Sequence, residues 1–424
     1  MKTLKSIYWL ALTAALALAA CSKEDPAPTP EPNPEPEPEQ TEIVIEQTEY
    51  TLDADEERTA TVAFTATADW TLSVAYDDAE SSADWLTVTP TSGTAGEQTV
   101  ELSATRNFRA SARTAYADIA CGKQSVRLTV TQTAASDATD FTAQFDEAFA
   151  KELQKQGIIA DAEHITPEDM EKIAAITSLD VAGSYDNPGT LTSLRGIEYF
   201  ESLEELSCLY NQLTALDVSR NTALTELRCD YNQLTSLDVS RNTALTELRC
   251  DYNQLTSLDV SRNTALTYLD CNNNQLTELD VSRNTALTEL DCSGNPLTTL
   301  DISMNTALTK LYCAINELTT LDVSRNTALT ELNCANNELT TLDVSQNTAL
   351  TVLSCFSNEL PSLNISRNRA LTKFDCSYNP GDGVSSFPVT AWFDNDTKPG
   401  DLEIDEEQWK YDGKTITIDF RKAE

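Results

Sequence analysis

The sequence has few of the residues on which most catalytic sites depend. It contains a single histidine, His164, and only 12 glycines in 424 residues, and it has no Gly-rich loop of the kind that holds phosphates. His164 stands among polar residues far from any nucleophile motif, so we interpret it as a surface residue. Carboxylates are plentiful, but no pattern places two of them around a cleft for glycoside hydrolysis. The sequence therefore predicts a protein that is not an enzyme and needs no cofactor.

Positive charge is also scarce. The chain has 29 Lys plus Arg against 68 Asp plus Glu, which gives a net charge of -39. Such a surface repels nucleic acid and anionic lipid. We therefore expect no nucleic-acid partner, and we interpret most of the negative charge as solvation of the surface.

Long apolar runs are absent except at the N-terminus. The run 7–20 follows Lys2 and Lys5 and is too short to span a bilayer, which is typical of an export signal. It ends in the sequence LAAC, which resembles the lipobox of bacterial lipoproteins. The resemblance implies cleavage before Cys21 and acylation of its thiol.

The residues after Cys21 predict where the chain is held. The tetrapeptide SKED at 22–25 resembles the short acidic tag that directs some lipoproteins to the outer face of the outer membrane. Residues 25–40 alternate proline with acidic residues, which predicts an extended polyproline stalk of about 50 Å. We expect an outer-membrane protein that faces the cell exterior and contacts the membrane through its N-terminal lipid alone.

Residues 42–134 show short runs in which apolar and polar residues alternate, separated by polar turns about every ten residues. This pattern predicts an all-β sandwich. The apolar positions are Ile43 and Ile45, Val62 and Phe64, Trp70, Leu72 and Val74, Val100 and Leu102, and Val126, Leu128 and Val130.

A family resemblance supports this interpretation. The stretch DWLTVTPTSG at 84–93, with Asn107, Arg113 and VTQ at 130–132, resembles the BACON family of immunoglobulin-like modules. The resemblance implies either carbohydrate binding or a spacer role. Sugar binding needs exposed aromatic faces, whereas Trp70 and Trp85 lie inside strand patterns and are better interpreted as core residues. We therefore favour the spacer role.

The segment that follows the sandwich predicts two helices. Apolar residues recur every four positions at Phe141, Phe145, Phe149 and Leu153, which predicts a first helix with one apolar side. We expect this helix to end at Gly157. The second begins with Thr166 as its cap and Pro167 in its first turn, and Met170 and Ile173 face inward. These helices would cover the open end of whatever follows them.

An internal repeat dominates the rest of the chain. The sequence LTELRCDYNQLTSLDVSRNTA begins at 224 and recurs at 245, a period of 21 residues. Full units start at 203, 224, 245, 266, 287, 308, 329 and 350, and a partial unit starts at 371. The pattern L-x-x-L-x-C-x-x-N-x-L-x-x-L-D-V resembles a short bacterial leucine-rich repeat with cysteine in place of one leucine. The resemblance implies a solenoid, and one coil cannot bury its apolar side alone.

Two columns of the repeat are interpreted as structural. The asparagines are expected to satisfy backbone groups at the turn out of each strand. The cysteines would lie in register about 4.8 Å apart, farther than a disulfide allows between Cβ atoms, and a straight column cannot surround a zinc ion, so we predict buried thiols. The members are Asn211, Asn232, Asn253, Asn274, Asn295, Asn316, Asn337, Asn358 and Asn379, and Cys208, Cys229, Cys250, Cys271, Cys292, Cys313, Cys334, Cys355 and Cys376.

An aspartate column leaves two alternatives. It could bind calcium, or its carboxylates could form turn hydrogen bonds or local ion pairs with the arginines three residues later. We favour the second alternative and predict no metal site. The column comprises Asp217, Asp238, Asp259, Asp280, Asp301, Asp322 and Asp343, and Asn364 takes the next place.

The first strand of each unit is the predicted binding surface. Its outward positions, taken as the residues that correspond to Glu226, Arg228 and Asp230, differ between units, whereas the opposite side hardly changes. Aromatic residues and arginine are common interface anchors. The candidate ligand-binding residues are Arg228, Tyr231, Arg249, Tyr252, Tyr268, Tyr312 and Phe356.

The sequence thus predicts a mainly β chain: an immunoglobulin-like β-sandwich, then a leucine-rich-repeat solenoid with a helical N-terminal cap. We expect an adhesion or binding module for protein ligands. The alternative is a carbohydrate-capture protein of a polysaccharide-uptake system. The predicted bounds are 1–20 for the signal, 21–41 for the anchor and stalk, 42–134 for the sandwich, 135–202 for the cap and a degenerate first repeat, 203–379 for the repeats, and 380–424 for a C-terminal cap.

Replacement of Cys21 tests the predicted anchor. Because only the Cys21 thiol can carry the diacyl group, the wild type should incorporate radiolabelled palmitate and sediment with membranes, and Cys21→Ala should do neither. A labelled, membrane-bound Cys21→Ala variant would show that the anchor lies elsewhere.

Overall fold

The computed structural model describes residues 42–54, 58–76, 85–109, 111–135 and 140–424. The predicted signal, Cys21 and the stalk lie outside these residues. Within them, no helix is both long enough and apolar enough to cross a bilayer.

The N-terminal part of the described chain is a sandwich of two sheets. One sheet has the strand order β1-β3-β7-β5 and the other β2-β9-β8-β4-β6, and within them β2 and β9 are parallel while the other pairs are antiparallel. The strands are β1 Ile43–Ile45, β2 Glu49–Leu52, β3 Thr59–Ala66, β4 Trp70–Tyr76, β5 Leu86–Thr89, β6 Ser92–Gly93, β7 Gly96–Ala104, β8 Arg113–Cys121 and β9 Gln124–Gln132.

Both sandwich tryptophans belong to the core. Trp70 and Trp85 are 1% and 2% exposed. The ring of Phe64 meets Trp70 edge to face at 5.0 Å, and the Arg113 guanidinium lies 4.6 Å from the Trp85 ring centre. The interpretation of both residues as core is confirmed, and neither ring offers a face to a sugar.

The cap contains two short α-helices, α1 Glu147–Lys155 and α2 Pro167–Ala174. The prediction that Phe141 and Phe145 share a helix with Phe149 is wrong, because Phe145 is extended and α1 begins only after Asp146. The physical reason is capping: Asp146 Oδ1 accepts hydrogen bonds from the backbone N–H groups of the second and third helical residues, 148 and 149, and so fixes the start of the helix there.

The other helix signals are confirmed. Gly157 has a φ of +75° just beyond α1, a conformation that glycine adopts without strain. Thr166 and Asp169 form a reciprocal capping box at the start of α2. Met170 and Ile173 are fully buried in the core that continues into the first coil, so the helices cover the open end of the solenoid.

Residues 178–404 supply an eleven-stranded parallel sheet with the order β10 to β18, then β20 and β22. A separate four-stranded sheet, β19-β21-β24-β23, closes the C-terminal end. The strands are β10 Ser178–Asp180, β11 Glu205–Ser207, β12 Glu226–Arg228, β13 Glu247–Arg249, β14 Tyr268–Asp270, β15 Glu289–Asp291, β16 Lys310–Tyr312, β17 Glu331–Asn333, β18 Val352–Ser354, β19 Leu363–Asn364, β20 Lys373–Asp375, β21 Ser386–Ala391, β22 Glu403–Ile404, β23 Gln408–Tyr411 and β24 Lys414–Lys422.

The coils stack in strict register. Leu227 pairs with Leu248, which pairs with Leu269, so equivalent residues lie directly above one another. The nine repeat cysteines are free thiols with 0% exposure, and burial raises the pKa of the Cys334 thiol to about 12. The prediction of a buried thiol column is confirmed, and these thiols pack as small apolar groups.

The first asparagine ladder is also confirmed. Asn253 Nδ2 donates to the carbonyl oxygens of Cys229 at 3.0 Å, Cys250 at 3.1 Å and Asp251 at 3.2 Å. Asn253 Oδ1 accepts from the Leu234 N–H at 2.9 Å. Each such side chain therefore ties its own turn to the preceding coil.

A second asparagine ladder, which was not predicted from the sequence, runs on the far side of each coil. Asn263 Nδ2 donates to Val239 O at 3.0 Å and to Asn242 O at 2.8 Å. The signal that could have revealed it is the recurrence of an asparagine three positions before each leucine that opens a unit. Its members are fully buried: Asn221, Asn242, Asn263, Asn284, Asn305, Asn326, Asn347 and Asn368.

The aspartate column forms turn hydrogen bonds, as we favoured. Asp238 Oδ1 accepts from the Ser240 N–H at 2.9 Å, and its hydrogen bonds to Ser240 lower its pKa. Asn364 accepts from the Ser366 N–H at 3.0 Å in the same way. Since the neutral amide of Asn364 forms the same hydrogen bond, this position requires a hydrogen-bond acceptor but not a negative charge.

Truncation of a ladder asparagine tests how the coils are held together. Asn253→Ala removes four hydrogen bonds and leaves buried backbone groups unpaired, so the free energy of unfolding in urea should fall by about 2–4 kcal/mol. Gln254→Ala is the matched control, because it truncates the adjacent, exposed amide and should change the value by less than about 0.5 kcal/mol. Equal effects of the two variants would contradict the ladder's role.

Candidate functional site

The surface formed by β11 to β18 and β20 is called the strand face. In each strand from β12 to β18 the first and third residues are partly exposed and the central leucine is buried. Side chains in a strand alternate between its two sides, so the face consists of two neighbouring columns. In β12 the residues of these two columns are Glu226 and Arg228.

The N-terminal half of the strand face carries an ordered charge network. Arg228 Nε lies 2.9 Å from Glu226 Oε1, and Arg249 Nε lies 2.6 Å from Glu247 Oε1. The Arg249 guanidinium also lies 4.4 Å from the centre of the Tyr268 ring. The structure therefore brings together three of the predicted ligand-binding residues, Arg228, Arg249 and Tyr268.

The C-terminal half of the face is held in a similar way. Tyr312 Oη donates to Glu331 Oε2 at 2.5 Å, and burial together with this carboxylate raises the pKa of Tyr312. Lys310 Nζ lies 3.3 Å from Glu289 Oε2. Tyr312 is thus a positioned side chain on the predicted face.

Tyr231 and Tyr252 do not lie on the strand face. Both have left-handed backbone conformations, with φ values of 53° and 49°, and they occupy the turn after each strand. With Tyr210 they form a tyrosine stack, in which the ring centres are 4.2 Å and 4.3 Å apart. The prediction that these two residues share one face with the strand residues is wrong. Each left-handed residue lies three positions beyond the last residue of its strand, so these tyrosines belong to the turn and not to the strand.

The position after each cysteine is not freely exposed, contrary to the prediction. Asp230, Asp251, Ala314 and Ala335 are between 0% and 8% exposed, and Phe356 at the same position is partly buried. The strands end two residues before this position, so the alternation of inward and outward side chains does not extend to it.

Four carboxylates follow one another in consecutive coils where β12 to β15 end. Asp230 and Asp251 occupy one column in consecutive coils, and Asp270 pairs directly with Asp291 in the neighbouring column. Burial raises the pKa of Asp270 to about 6 and, with the nearby carboxylates, that of Asp251 to about 8. We call these four residues the acidic patch.

The remaining candidate residues are not part of this face. His164 is exposed, as predicted, and its Nδ1 lies 3.4 Å from Asp140 Oδ2. A cleft of about 470 Å³ is lined by Arg106 of the sandwich and by residues of the first coils, among them Arg195 and Arg220. Beside it, Glu201 pairs with Arg58 at 3.0 Å and with Arg106 at 3.5 Å. Across the described ranges, no group of three or more His, Cys, Asp or Glu side chains is arranged to hold a metal ion.

Comparison with protein families matches both parts of the chain. Residues 42–135 match the family described as the viral BACON domain. Residues 243–284 and 264–304 match the family described as leucine-rich repeats in two copies. No curated protein matches the chain.

Solved structures with a similar fold include a bacterial protein that is described as having a cysteine ladder. The functional domain of InlJ from Listeria monocytogenes, which is described as including a cysteine ladder, is 39% identical, with a TM-score of 0.56. The match covers 66% of this chain and 61% of that one. YopM, a leucine-rich effector protein from Yersinia pestis, is 28% identical over 44% of this chain and 52% of that chain, with a TM-score of 0.39.

These matches agree with the geometry. The two-sheet sandwich coincides with the BACON match, and the buried thiol column agrees with the cysteine ladder of the InlJ domain. Together the two kinds of module indicate a protein-binding module. The chain contains a BACON domain followed by leucine-rich repeats of the cysteine-containing kind.

Proposed function

We propose that the chain is a non-enzymatic adhesion protein that presents its strand face to a protein ligand outside the cell. The observation that carries this proposal is the contrast between two sides of one coil. The strand face changes from Glu226 and Arg228 to Lys310 and Tyr312 within four units, while the buried ladders and the aspartate turns recur with little change. Residues that the fold does not require are free to be selected for recognition.

The chemistry of the face suits a protein more than a sugar. Sugars bind aromatic side chains through exposed ring faces, but Tyr231 is stacked on both sides. Arg249 covers one face of Tyr268, and both sandwich tryptophans are buried. The rings therefore present edges and hydroxyl groups, which form hydrogen bonds and packing contacts typical of protein interfaces.

The capture of carbohydrate in a polysaccharide-uptake system is the second candidate. The observation in its favour is that Tyr252 and Tyr378 are 45% and 44% exposed at the turn edge, where an aromatic surface could meet a glycan. These rings are separated along the sheet by Asn273, Gly294, Ile315, Asn336 and Ser357 in the same column, so they do not form a continuous platform.

The rest of the chain is assigned supporting roles. Acylation at Cys21 and the stalk would hold the chain at the outer membrane, and the BACON domain would act as a spacer that projects the solenoid outward. The ion pairs of Glu201 with Arg58 and Arg106 join that spacer to the first coils. A spacer fixed in this way orients the strand face relative to the membrane.

A truncation on the strand face tests the proposal. The mature chain is first screened against mucosal proteins and a glycan array. We expect the ligand to be a protein, and simultaneous Tyr268→Ala, Tyr312→Ala and Phe356→Ala should weaken its binding at least about tenfold, because buried aromatic anchors each contribute about 1–2 kcal/mol. The melting temperature should change little, since all three side chains are partly exposed.

The matched control replaces Arg262, Arg283 and Arg325 with alanine. These exposed side chains lie on the opposite side of the coils, and their loss should leave the affinity within about twofold of the wild type. Unchanged binding by the aromatic variant would move the site to the sandwich or the C-terminal segment around Trp392 and Trp409. Glycan ligands alone would favour carbohydrate capture.

A further inference from the structure

Residues 105–109, which follow β7, reach from the sandwich to the solenoid, and we call them the junction loop. Phe108 in this loop is 5% exposed and belongs to the apolar core that continues through the cap and the coils, not to the core of the sandwich. The ring centre of Phe108 lies 5.8 Å from that of Phe141 and 6.1 Å from that of Tyr199, edge to face in both cases. This geometry stabilises aromatic pairs beyond the area that they bury. The BACON domain therefore contributes a side chain to the core of the solenoid.

Charged contacts surround this aromatic contact. Glu201 in the cap pairs with Arg58 at 3.0 Å, and its Oε2 accepts from the Arg106 N–H at 3.2 Å. Arg109 Nε and Nη2 donate to the two carboxylate oxygens of Glu171 in α2, at 2.5 Å and 3.1 Å. A bidentate pair between arginine and carboxylate fixes orientation as well as distance. The sandwich is therefore held against the cap at two carboxylates on either side of Phe108.

A buried asparagine shapes the junction loop from within the sandwich. Asn107 is 2% exposed, and its Nδ2 donates to Ser111 O at 2.9 Å and to Thr133 O at 2.8 Å. Its Oδ1 accepts from the Arg109 N–H at 3.1 Å. Because Thr133 directly follows β9, these hydrogen bonds tie the loop to the segment that leaves the sandwich for the cap.

Two further side chains support the start of the loop. Arg113 Nη2 donates to the carbonyl oxygens of Thr105 and Arg106, both at 2.9 Å. Gln132 Nε2 donates to Thr105 O at 2.9 Å, and Gln132 Oε1 accepts from Arg113 Nε at 2.8 Å. Asn107, Arg113 and Gln132 are residues on which the resemblance to the BACON family rests. In this chain they therefore hold the loop that contacts the solenoid.

We propose that the BACON domain has a further function as the outer layer of the N-terminal cap of the solenoid. The terminal coil of a solenoid exposes its apolar core unless another element covers it. The two cap helices do not cover it completely, because Phe141 and Tyr199 remain partly buried at its outer side and Phe108 packs on both. The first coils thus depend on the sandwich for their stability. This inference requires no ligand and is independent of the proposed binding function of the strand face.

The cysteines are reporters of opening at three places in the chain. A buried thiol reacts with an alkylating reagent only when the structure around it opens. Cys121 lies in the core of the sandwich, Cys208 in the first full unit and Cys376 in the last, partial unit, and all three are free and buried. Alkylation of the native, mature chain, followed by mass analysis of each site, therefore measures how often each region opens.

Replacement of the junction aromatic tests the proposal. Phe108→Ala removes the ring that packs on the cap, so the alkylation rate at Cys208 should rise at least about tenfold, as expected for loss of a buried aromatic side chain. Each coil contacts only its neighbours, so the rate at Cys376 should stay within about twofold of the wild type. The rate at Cys121 should also stay within about twofold, because Phe108 does not belong to the sandwich core.

The matched control is Tyr185→Ala. This ring also lies before the first full unit but is 80% exposed, so its loss should change the alkylation rate at none of the three cysteines by more than about twofold. An equal rise at Cys208 in Tyr185→Ala and Phe108→Ala would assign the effect to any aromatic near the first coils and overturn the proposal.

A charge variant keeps the test independent of the Phe108 substitution. Arg58→Ala removes a partly buried pair with Glu201 and should raise the rate at Cys208 by about threefold or more, with Cys121 unchanged. Its control, Arg127→Ala, removes a pair with Asp118 that lies within the sandwich and should leave Cys208 at the wild-type rate.

The outcomes are separable. An unchanged rate at Cys208 in both Phe108→Ala and Arg58→Ala would show that α1 and α2 cap the solenoid alone, and the BACON domain would then be a spacer only. Equal rises at Cys121 and Cys208 in both variants would show that these residues support the sandwich itself, and this result would also overturn the proposal. A rise confined to Cys208 supports it.

Discussion

The whole solenoid depends on the need to satisfy backbone polar groups in a coil that has no regular structure apart from one short strand. Asn253 and Asn263 and their equivalents meet that need, because each side chain donates to carbonyl oxygens of the preceding coil. Asn253 also donates to a carbonyl oxygen of its own coil. Buried unpaired carbonyls are costly, so the two ladders fix the vertical spacing and the register together. The leucines and thiols then fill a space whose dimensions are already set.

Because the asparagine ladders and the buried leucines hold the coils together, the residues of the strand face are free to vary. The central strand leucine is buried in every coil, while its two neighbours are only partly covered. A change from Arg228 to Tyr312 therefore alters the surface without disturbing the core. The same rigidity lets charged groups be held where they would otherwise move apart, as in the acidic patch. A mobile loop would separate four like charges, whereas an in-register sheet keeps them adjacent.

The architecture could be predicted from periodicity, because a 21-residue repeat of apolar positions is buried when the repeats stack as the coils of a solenoid. The roles of Asn253, Cys250 and Asp238 followed from chemistry that is local to the coil. The same holds for α2, where Thr166 and Asp169 are close in sequence. The architecture and these local features required no knowledge of distant contacts.

The predictions that were wrong concern residues close to the end of a helix or strand. Phe145 fits a helical stripe, but the competing cap at Asp146 excludes it from α1. Asp230 fits strand alternation, but the strand stops at Arg228. Tyr231 and Tyr252 were placed on the wrong surface because a left-handed backbone is uncommon for tyrosine. The raised pKa values of the acidic patch arise from burial and from coupling between coils, which one unit read alone does not reveal.

The register of the coils has a consequence for how this gene can change. Residues 224–244 and 245–265 are identical in sequence, and each coil offers its neighbour the same ladder contacts. Loss or duplication of one unit during replication would therefore leave both new junctions complementary, and the rod would shorten or lengthen by one step of about 4.8 Å. Such a step would shift Tyr312 and Phe356 relative to the BACON domain without changing the coils that carry them. Unequal recombination can thus adjust the distance between the BACON domain and the C-terminal half of the strand face in whole units, while point substitutions alter the chemistry of that face.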